Sequence, residues 1–314
     1  MKGAVLVGPR KIEFAERALG PVGPHDVLVQ VSACGVCTSD VDFWLGHSDR
    51  ELPAALGHEV AGVVAEVGKD VKRFVQGSRV ACWVEDGGFS EAVVAEEGFC
   101  IPVGDSCSYP EVAEPLSCVV NSVRLAEPQL GDDVVIIGAG FMGSLLQLVL
   151  QLQGPRSITV ADIRSDALER ARAMRATQTV DTSSEDLAQR VAEVTDGRGA
   201  DVSFEVTGTN RGLDLAEAVT RMSGKLCIVG YHQGGTREIR LGYWNWMAFN
   251  IINAHFRDKG TILSGMRMGL RLLEAGVLDP GPLFTNSYAL ESIDEAFQTA
   301  AAKQPGFVKA VVRA

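Results

Sequence analysis

The stretch Asp133–Gly143, DVVIIGAGFMG, constrains this chain more than any other. Val134 to Ile137 are four β-branched residues in a row, stiff at χ1 and suited to a strand buried on both faces of a sheet. Gly138, Gly140 and Gly143 follow at once, and the apolar run after them reads as a helix. The segment Val134–Gln153 carries no charge and has the length of a membrane span. Its three glycines and three glutamines divide it into a strand, a tight turn and a packed helix instead.

The remainder of the chain has two rhythms. From Lys2 to about Ile101 it reads as short strands, GAVLV, DVLVQVSA, EVAGVVAEVG, SRVACWV and GFSEAVVA, broken by Gly or Pro. That is the pattern of an all-β, barrel-like unit. From about Val119 strand and helix alternate: DDVVIIGAG, MGSLLQLVLQLQG, SITVADI, SDALERARAM, ADVSFEVTG, GLDLAEAVTRM and GKLCIVGY. Alternation of this kind predicts a doubly wound parallel sheet with helices on both faces. The tail returns two helices, ILSGMRMGLRLLEAG and SIDEAFQTAAA, and a last strand, FVKAVVRA. With 314 residues, two domains are expected, since single cores stop growing at roughly 250–300 residues.

The charge balance narrows the partners. A net charge of -11, with no run of Lys or Arg, speaks against a phosphate-backbone partner, so no nucleic acid is expected. Seven cysteines, an odd number without framework spacing, point to reduced thiols and a cytoplasmic location. The opening MKGAVLVGPRKIEF lacks the apolar core and small-residue cleavage site of a signal peptide, and no membrane association is expected.

The glycine triplet has a chemical reading in its strand-turn-helix context. The first glycine permits the turn, the second lets backbone approach a pyrophosphate, and the third lets helix pack on strand. Gly138, Gly140, Phe141, Met142 and Gly143 are therefore candidates for cofactor binding at a helix N-terminus. Asp162 closes the next strand, nineteen residues after Gly143, where a carboxylate accepts from ribose hydroxyls and repels a 2′-phosphate. NAD is expected over NADP, with Arg164 as the residue able to serve a phosphate.

A second cluster begins in SACGVCTSDVDFW. A structural zinc needs a second Cys pair at suitable spacing, and none exists; a redox dithiol belongs at a helix start in a βαβ unit. Cys37, the pair His58-Glu59 and Glu114 in EVAEPLSCVV instead supply a thiolate, an imidazole and carboxylates. Three such ligands and an open position describe a catalytic zinc site. Singly, each has a plain alternative: an inert core thiol, a turn histidine, a helix-start carboxylate.

The order CGVCTSD, GHEVAGVVAEVG, GSRV, GGFSEAVV, EPL, VVIIGAGFMG and closing GFVKAVV resembles the zinc-dependent branch of the medium-chain dehydrogenase/reductase family over essentially the whole chain. The Glu-Pro-Leu form is nearer to its sorbitol, threonine and polyol dehydrogenases than to liver-type alcohol dehydrogenase. The resemblance implies an α/β protein with a β-rich chaperonin-10-like catalytic domain, residues 1–118 and 257–314, and a Rossmann domain, residues 119–256. It implies that zinc and nicotinamide meet in the cleft between the domains. It implies Cys37, His58 and Glu114 as zinc ligands, Glu59 as the carboxylate that exchanges on the metal, and Asp40 behind His58. Cys118, one helical turn beyond Glu114, is a competing ligand that Glu114 outranks by position. Lys309 matches a basic position that meets the pyrophosphate in some relatives.

The chain also departs from that family pattern. The four-cysteine structural lobe is missing between GSRVACWV and GGFSEAVV, where Glu85 and Asp86 stand, so one zinc per chain is expected. Ser39 sits where the alcohol proton is taken, but Asp42 stands where some alcohol dehydrogenases carry a histidine. The proton path then ends at Asp42, at a ribose hydroxyl or at water. Zinc as Lewis acid, Ser39 as proton carrier and the nicotinamide as hydride acceptor are the implied chemistry.

Phe43 and Trp44, the row Tyr243, Trp244 and Trp246, and His255 with Arg257 are pocket or packing candidates that favour a polar secondary alcohol of polyol, sugar or cyclitol type. The family reading also implies a homodimer or homotetramer. Competing expectations are a zinc-independent quinone or enoyl reductase of the same family and a nucleotide-binding protein without turnover.

Overall fold

The computed structural model describes residues 1–16, 19–47 and 50–314, which form two compact units, Met1–Ser117 with Ile262–Ala314 and Cys118–Thr261. In the first unit the chain runs β1 (Lys2–Gly8), β2 (Lys11–Glu16), β3 (Asp26–Gly35), α1 (Thr38–Trp44), β4 (Ala54–Ala55), β5 (Glu59–Val67), β6 (Arg79–Trp83), β7 (Ala92–Glu96) and β8 (Cys100–Pro102). Helix α2 (Ala113–Ala126) leads into the second unit, which runs β9 (Asp133–Ile137), α3 (Phe141–Gln151), β10 (Ser157–Asp162), α4 (Ser165–Ala173), β11 (Gln178–Asp181), α5 (Leu187–Val194), β12 (Ala200–Glu205), α6 (Asn210–Val219), β13 (Thr220–Ile228), α7 (Leu241–Trp246) and β14 (Asn250–Asn253). Helix α8 (Lys259–Glu274), β15 (Phe284–Ala289), α9 (Ile293–Ala302) and β16 (Lys309–Arg313) complete the chain.

The first unit is the β-rich body that the Gly- and Pro-punctuated strands predict. Its main sheet has the order β15-β16-β3-β5-β6-β8, with β7 on β3, and a second sheet joins β2, β1 and β4. Val27, Val29 and Val31 alternate inward along β3 and meet Val60, Val64, Val80, Phe89 and Phe297 in one buried cluster. Three strands converge at one end of the main sheet, where Gly35 on β3 lies opposite Glu59 on β5 and opposite Val311 on β16. The end of β3 thereby brings the start of β5 and the C-terminal strand to one place.

The second unit is the doubly wound parallel sheet, in order β11-β10-β9-β12-β13-β14 with every pairing parallel. All five residues of central β9 are buried, as a strand covered on both faces requires. Gly138 has φ +104°, a conformation open mainly to glycine. A Cβ on Gly143 would lie 1.9 Å from the Gly138 carbonyl oxygen, so this helix-to-strand approach admits no side chain, whereas a Cβ on Gly140 meets nothing within 4 Å.

One boundary differs from the sequence pattern. The predicted helix GLDLAEAVTRM stops at Val219, because Thr220 pairs with Ala200 and starts β13 across a register shift. Strands β11 and β14 carry no strong pattern: QTVD and NIIN are edge strands whose polar residues need no second apolar cover. Helix α5 is a further element, capped by Asp186 and burying Leu187 and Val191 four apart. No helix among the described residues is long and apolar enough to cross a membrane. The glycine geometry predicts that Gly143→Ala lowers stability by about 1–3 kcal/mol through overpacking, while Gly140→Ala leaves it nearly unchanged. Urea unfolding followed by the second unit's fluorescence and circular dichroism checks the pair.

Candidate functional site

Two places in the chain gather the predicted residues, one in each unit. In the first unit, a β strand ends at Gly35, the chain turns, and Cys37 heads the short helix α1. β5 opens with Glu59 directly after His58. The ligand atoms of Cys37, His58 and Glu59 all lie within 4.8 Å of one another, and among the described residues they are the one His, Cys, Asp and Glu group that could hold a metal ion. Glu114, at the start of α2, stands outside that group but close enough for its charge to be felt by it. Cys118 follows one turn later and is half-buried.

The charges around this group are organised by burial. Asp40 is 6% exposed; its Oδ1 accepts from the Gly57 amide at 3.2 Å, and its Oδ2 lies 3.6 Å from His58 Nδ1. That leaves Nε2 as the imidazole nitrogen turned from Asp40. Burial works against a charged His58, but the Asp40 carboxylate and Cys37 more than reverse it, and the imidazole is raised well above its ordinary value. Asp40 itself is held low: its burial is outweighed by His58, the Gly57 amide and Lys309. Burial raises the Glu114 carboxyl, with Glu59 adding to it and His58 opposing.

Lys309 has a partner that the sequence did not suggest. The family pattern puts it near a pyrophosphate; its ammonium is buried in the first unit and donates to Glu59 Oε1 at 2.7 Å. The reason is the strand register: Lys309 stands two residues before Val311, on the same face of β16, and reaches past Gly35 to Glu59. Gly35 must lack a side chain there, since a Cβ would come within 1.9 Å of Glu59 Oε2. Burial lowers the lysine's affinity for its proton, and Glu59, Cys37 and Glu114 together raise it above its ordinary value.

A metal fits this set. Glu59 Oε2 is a buried oxygen with no hydrogen-bond partner among the described residues. The pocket also holds protons on His58 and Lys309 more tightly than water does, the signature of a place short of positive charge. Thiolate, imidazole and carboxylate donors together suit zinc rather than calcium or magnesium.

Of the other residues on this side, Ser39 and Asp42 are half-buried three residues apart on α1. Asp42 Oδ1 lies 3.9 Å from Nδ1 of His47, a residue that sequence reasoning passed over. Phe43 and Trp44 belong to the core, with Trp44 packed on Phe297 at 5.9 Å. Cys34 is 1% exposed, and burial drives its thiol well above the ordinary value, so of the Cys-x-x-Cys pair only Cys37 sits with metal donors. Where a structural lobe would stand, residues 84–91 connect β6 to β7 directly, and Asp86 pairs with Arg50.

In the second unit Gly140 caps α3 with no side-chain bond, leaving a helix N-terminus of the anion-binding kind. Asp162 stands at the end of β10; its Oδ2 accepts from the Ala139 amide at 2.6 Å and its Oδ1 from the amides of Ile163 and Arg164 at 2.7 and 2.9 Å. These bonds fix the carboxylate beside the glycine turn. The Arg164 guanidinium is engaged by Asp166, with contacts of 3.1 and 2.6 Å. At the ends of β12 and β13 Glu205, fully buried, takes hydrogen bonds from the Thr207 and Gly208 amides and pairs with His232 at 2.9 Å. The sequence signal for Glu205 was present, a carboxylate closing the strand ADVSFE directly after Phe204. His255 Nε2 lies 3.1 Å from the Gly230 carbonyl, and Arg257 is exposed. Trp244 is buried and donates to Glu217 at 2.5 Å, whereas Trp246 is 76% exposed.

Comparison with known proteins agrees with both units. Residues 23–105 match the model of the alcohol dehydrogenase GroES-like domain, and residues 142–267 match that of the zinc-binding dehydrogenase. A sorbitol dehydrogenase of Bacillus subtilis is 29% identical, with 96% of this chain and 93% of the relative covered. An L-idonate 5-dehydrogenase of Vitis vinifera is likewise 29% identical, over 95% and 91%. The crystal structure of 2R,3R-butanediol dehydrogenase from Bacillus subtilis superposes with a TM-score of 0.87 at 26% identity, covering 100% of this chain and 99% of that one. The fold is thus a GroES-like β domain joined in sequence to a Rossmann domain. The chain belongs to the zinc-containing medium-chain dehydrogenase family of oxidoreductases, and is sorbitol dehydrogenase-like within it.

Glu111, on the single turn Pro110–Val112 ahead of α2, supplies a stability test in the same unit. It is 1% exposed, and burial raises its carboxyl above the ordinary value, with Arg313 opposing. A carboxyl raised in the folded state costs stability once ionised, and that cost grows as pH rises from its ordinary value through its raised one. Glu111→Gln should therefore melt higher than the parent at pH 7 and converge with it near pH 4. Thermal scans across that range check both the sign and the convergence.

Proposed function

We propose that this chain is a zinc- and NAD-dependent dehydrogenase that oxidises a secondary alcohol of a polyol, sugar or cyclitol-like substrate, or reduces the matching ketone. The observation that carries the reading is the group of Cys37, His58 and buried Glu59, whose ligand atoms lie within 4.8 Å of one another, together with a Glu59 oxygen that has no hydrogen-bond partner among the described residues. Cys37 and His58 would hold one zinc, with Glu114 as third ligand and Glu59 as the carboxylate that comes and goes. Bound zinc supplies Lewis acidity toward the substrate oxygen, and NAD supplies the hydride acceptor.

The chain's own residues do the positioning. Asp40 fixes the His58 ring through Nδ1, which keeps Nε2 available as a ligand nitrogen. Lys309 holds Glu59 by its other oxygen and offsets the negative charge of a thiolate and carboxylates packed together. Ser39, in the first turn of α1 and two residues after Cys37 in sequence, takes the alcohol proton and passes one on toward Asp42. In the second unit the glycine turn and the α3 N-terminus receive the pyrophosphate, with Phe141 and Met142 in the first turn. Asp162 receives the ribose hydroxyls and disfavours a 2′-phosphate, while Asp166 draws off the guanidinium of Arg164. The polyol-type substrate is supported by the names of the sorbitol and L-idonate relatives and by the polar His255 and Arg257.

A panel of polyols, sugars and cyclitols with NAD and NADP tests this. Turnover of at least one panel member, abolished by phenanthroline and restored by zinc, is expected; turnover indifferent to the chelator, or none at all, contradicts it. NAD should be preferred over NADP, and Asp162→Ser should narrow that preference by about tenfold, a change of about 1.4 kcal/mol in transition-state binding. Steady-state kcat/KM ratios for the two coenzymes read it directly.

A further inference from the structure

Helix α1 ends in a way that returns the chain onto its own side chains. Leu45 is the C-cap of the helix, Gly46 has φ +86°, and two reverse hydrogen bonds close the end. The Gly46 amide donates to the Phe43 carbonyl at 2.9 Å and the His47 amide to the Asp42 carbonyl at 2.9 Å. These are the two bonds of a Schellman motif, in which the second residue past the cap sits back over the third residue before it. The motif therefore sets His47 beside Asp42, with Nδ1 3.9 Å from Oδ1. Exposure rises outward along the same line: the Asp42 side chain is 29% exposed and that of His47 is 64% exposed. Ser39 lies one turn before Asp42 on the same helix face, since residues three apart are neighbours there.

We propose that His47 is the outer station of the proton path, a positioning and exchange residue that connects Asp42 to bulk water. The proposal rests on the dehydrogenase reading above and adds to it the exit that Asp42 alone does not supply. Oxidation of the alcohol by NAD gives ketone, NADH and one proton. That proton goes to the Ser39 hydroxyl as Ser39 gives its own toward Asp42. The carboxylate hands it to His47 Nδ1, and the ring releases one from Nε2 to water. An imidazole suits the last step because its two ring nitrogens let it take a proton at one and release a proton from the other, which a carboxylate does not do. The 3.9 Å gap is one that a small turn of an exposed ring, or a bridging water, closes. Among the described residues, the other charged groups near this helix are Arg10 over the Trp44 ring, Arg50 over the Phe43 ring and Asp86 paired with Arg50, while α9, which packs on Trp44 through Phe297, carries Asp294 and Glu295 in its first turn. None of the five is an imidazole, so none replaces His47 in this exchange.

The test compares the zinc-loaded parent with His47→Gln and Gly46→Ala, using the best substrate among sorbitol, L-idonate and 2R,3R-butanediol with NAD. His47→Gln should lower kcat by about tenfold near pH 6.5 in a non-exchanging buffer, less than the hundredfold or more of a group that transfers a proton to or from the reacting atoms, with KM unchanged and most of the loss recovered on adding imidazole. Gly46→Ala keeps the imidazole but breaks the motif, and should show the same loss and the same rescue. Independently of turnover, the His47 ring-nitrogen NMR shifts in the zinc-free protein should move in Asp42→Asn. An active parent matched by His47→Gln at every pH and buffer overturns the His47 assignment alone, as do ring shifts indifferent to Asp42→Asn. A parent that turns over none of the three probes, or any member of the wider panel, overturns the dehydrogenase reading and this inference with it.

Discussion

The buried carboxylate of Glu59 is the constraint around which the first unit is arranged. A carboxylate 1% exposed is costly unless paired, and here one oxygen is paired with the ammonium of Lys309 while the other has no hydrogen-bond partner among the described residues. Three strands have to meet in register for that to happen, and at the meeting point Gly35 leaves the space the carboxylate fills. The C-terminal strand is therefore part of the pocket around Glu59 and not merely a member of the sheet. Ion pairs of this kind add little net stability, but they fix where the charges are.

The second unit depends on a steric constraint in place of an electrostatic one. Helix α3 can lie against β9 only because Gly143 has no side chain to strike the Gly138 carbonyl. The open space above Gly140 and the anchoring of Asp162 on backbone amides follow from the same turn. Glu205 repeats the device two strands away, a buried carboxylate that ties a following turn by its amides and holds an imidazole by its remaining oxygen.

Much of this was legible in the sequence because it rests on local pattern. The strand-turn-helix of DVVIIGAGFMG, the alternating βα units and the absence of a cysteine-rich lobe needed only residue order. So did the pairing of CGVC with GHE, once their family order is noticed, which brings Cys37, His58 and Glu59 together across about twenty residues of intervening chain. What the sequence hid is set by register and by chain reversal. Lys309 to Glu59 spans 250 residues and depends on which strands neighbour β3. His47 meets Asp42 through a glycine-capped helix end, a motif readable in DFWLGH only when the helix boundary is known. Edge strands β11 and β14 escaped because exposed strands need not be apolar.

The account stands or falls on whether the Cys37, His58 and Glu59 pocket takes zinc. Metal content combined with zinc-edge X-ray absorption on protein purified without chelator tests this most directly. The account predicts one zinc per chain, with a single sulfur donor and the rest nitrogen or oxygen, lost in Cys37→Ser. A zinc-free protein, a second zinc per chain, or a zinc whose sulfur donor survives Cys37→Ser would contradict it.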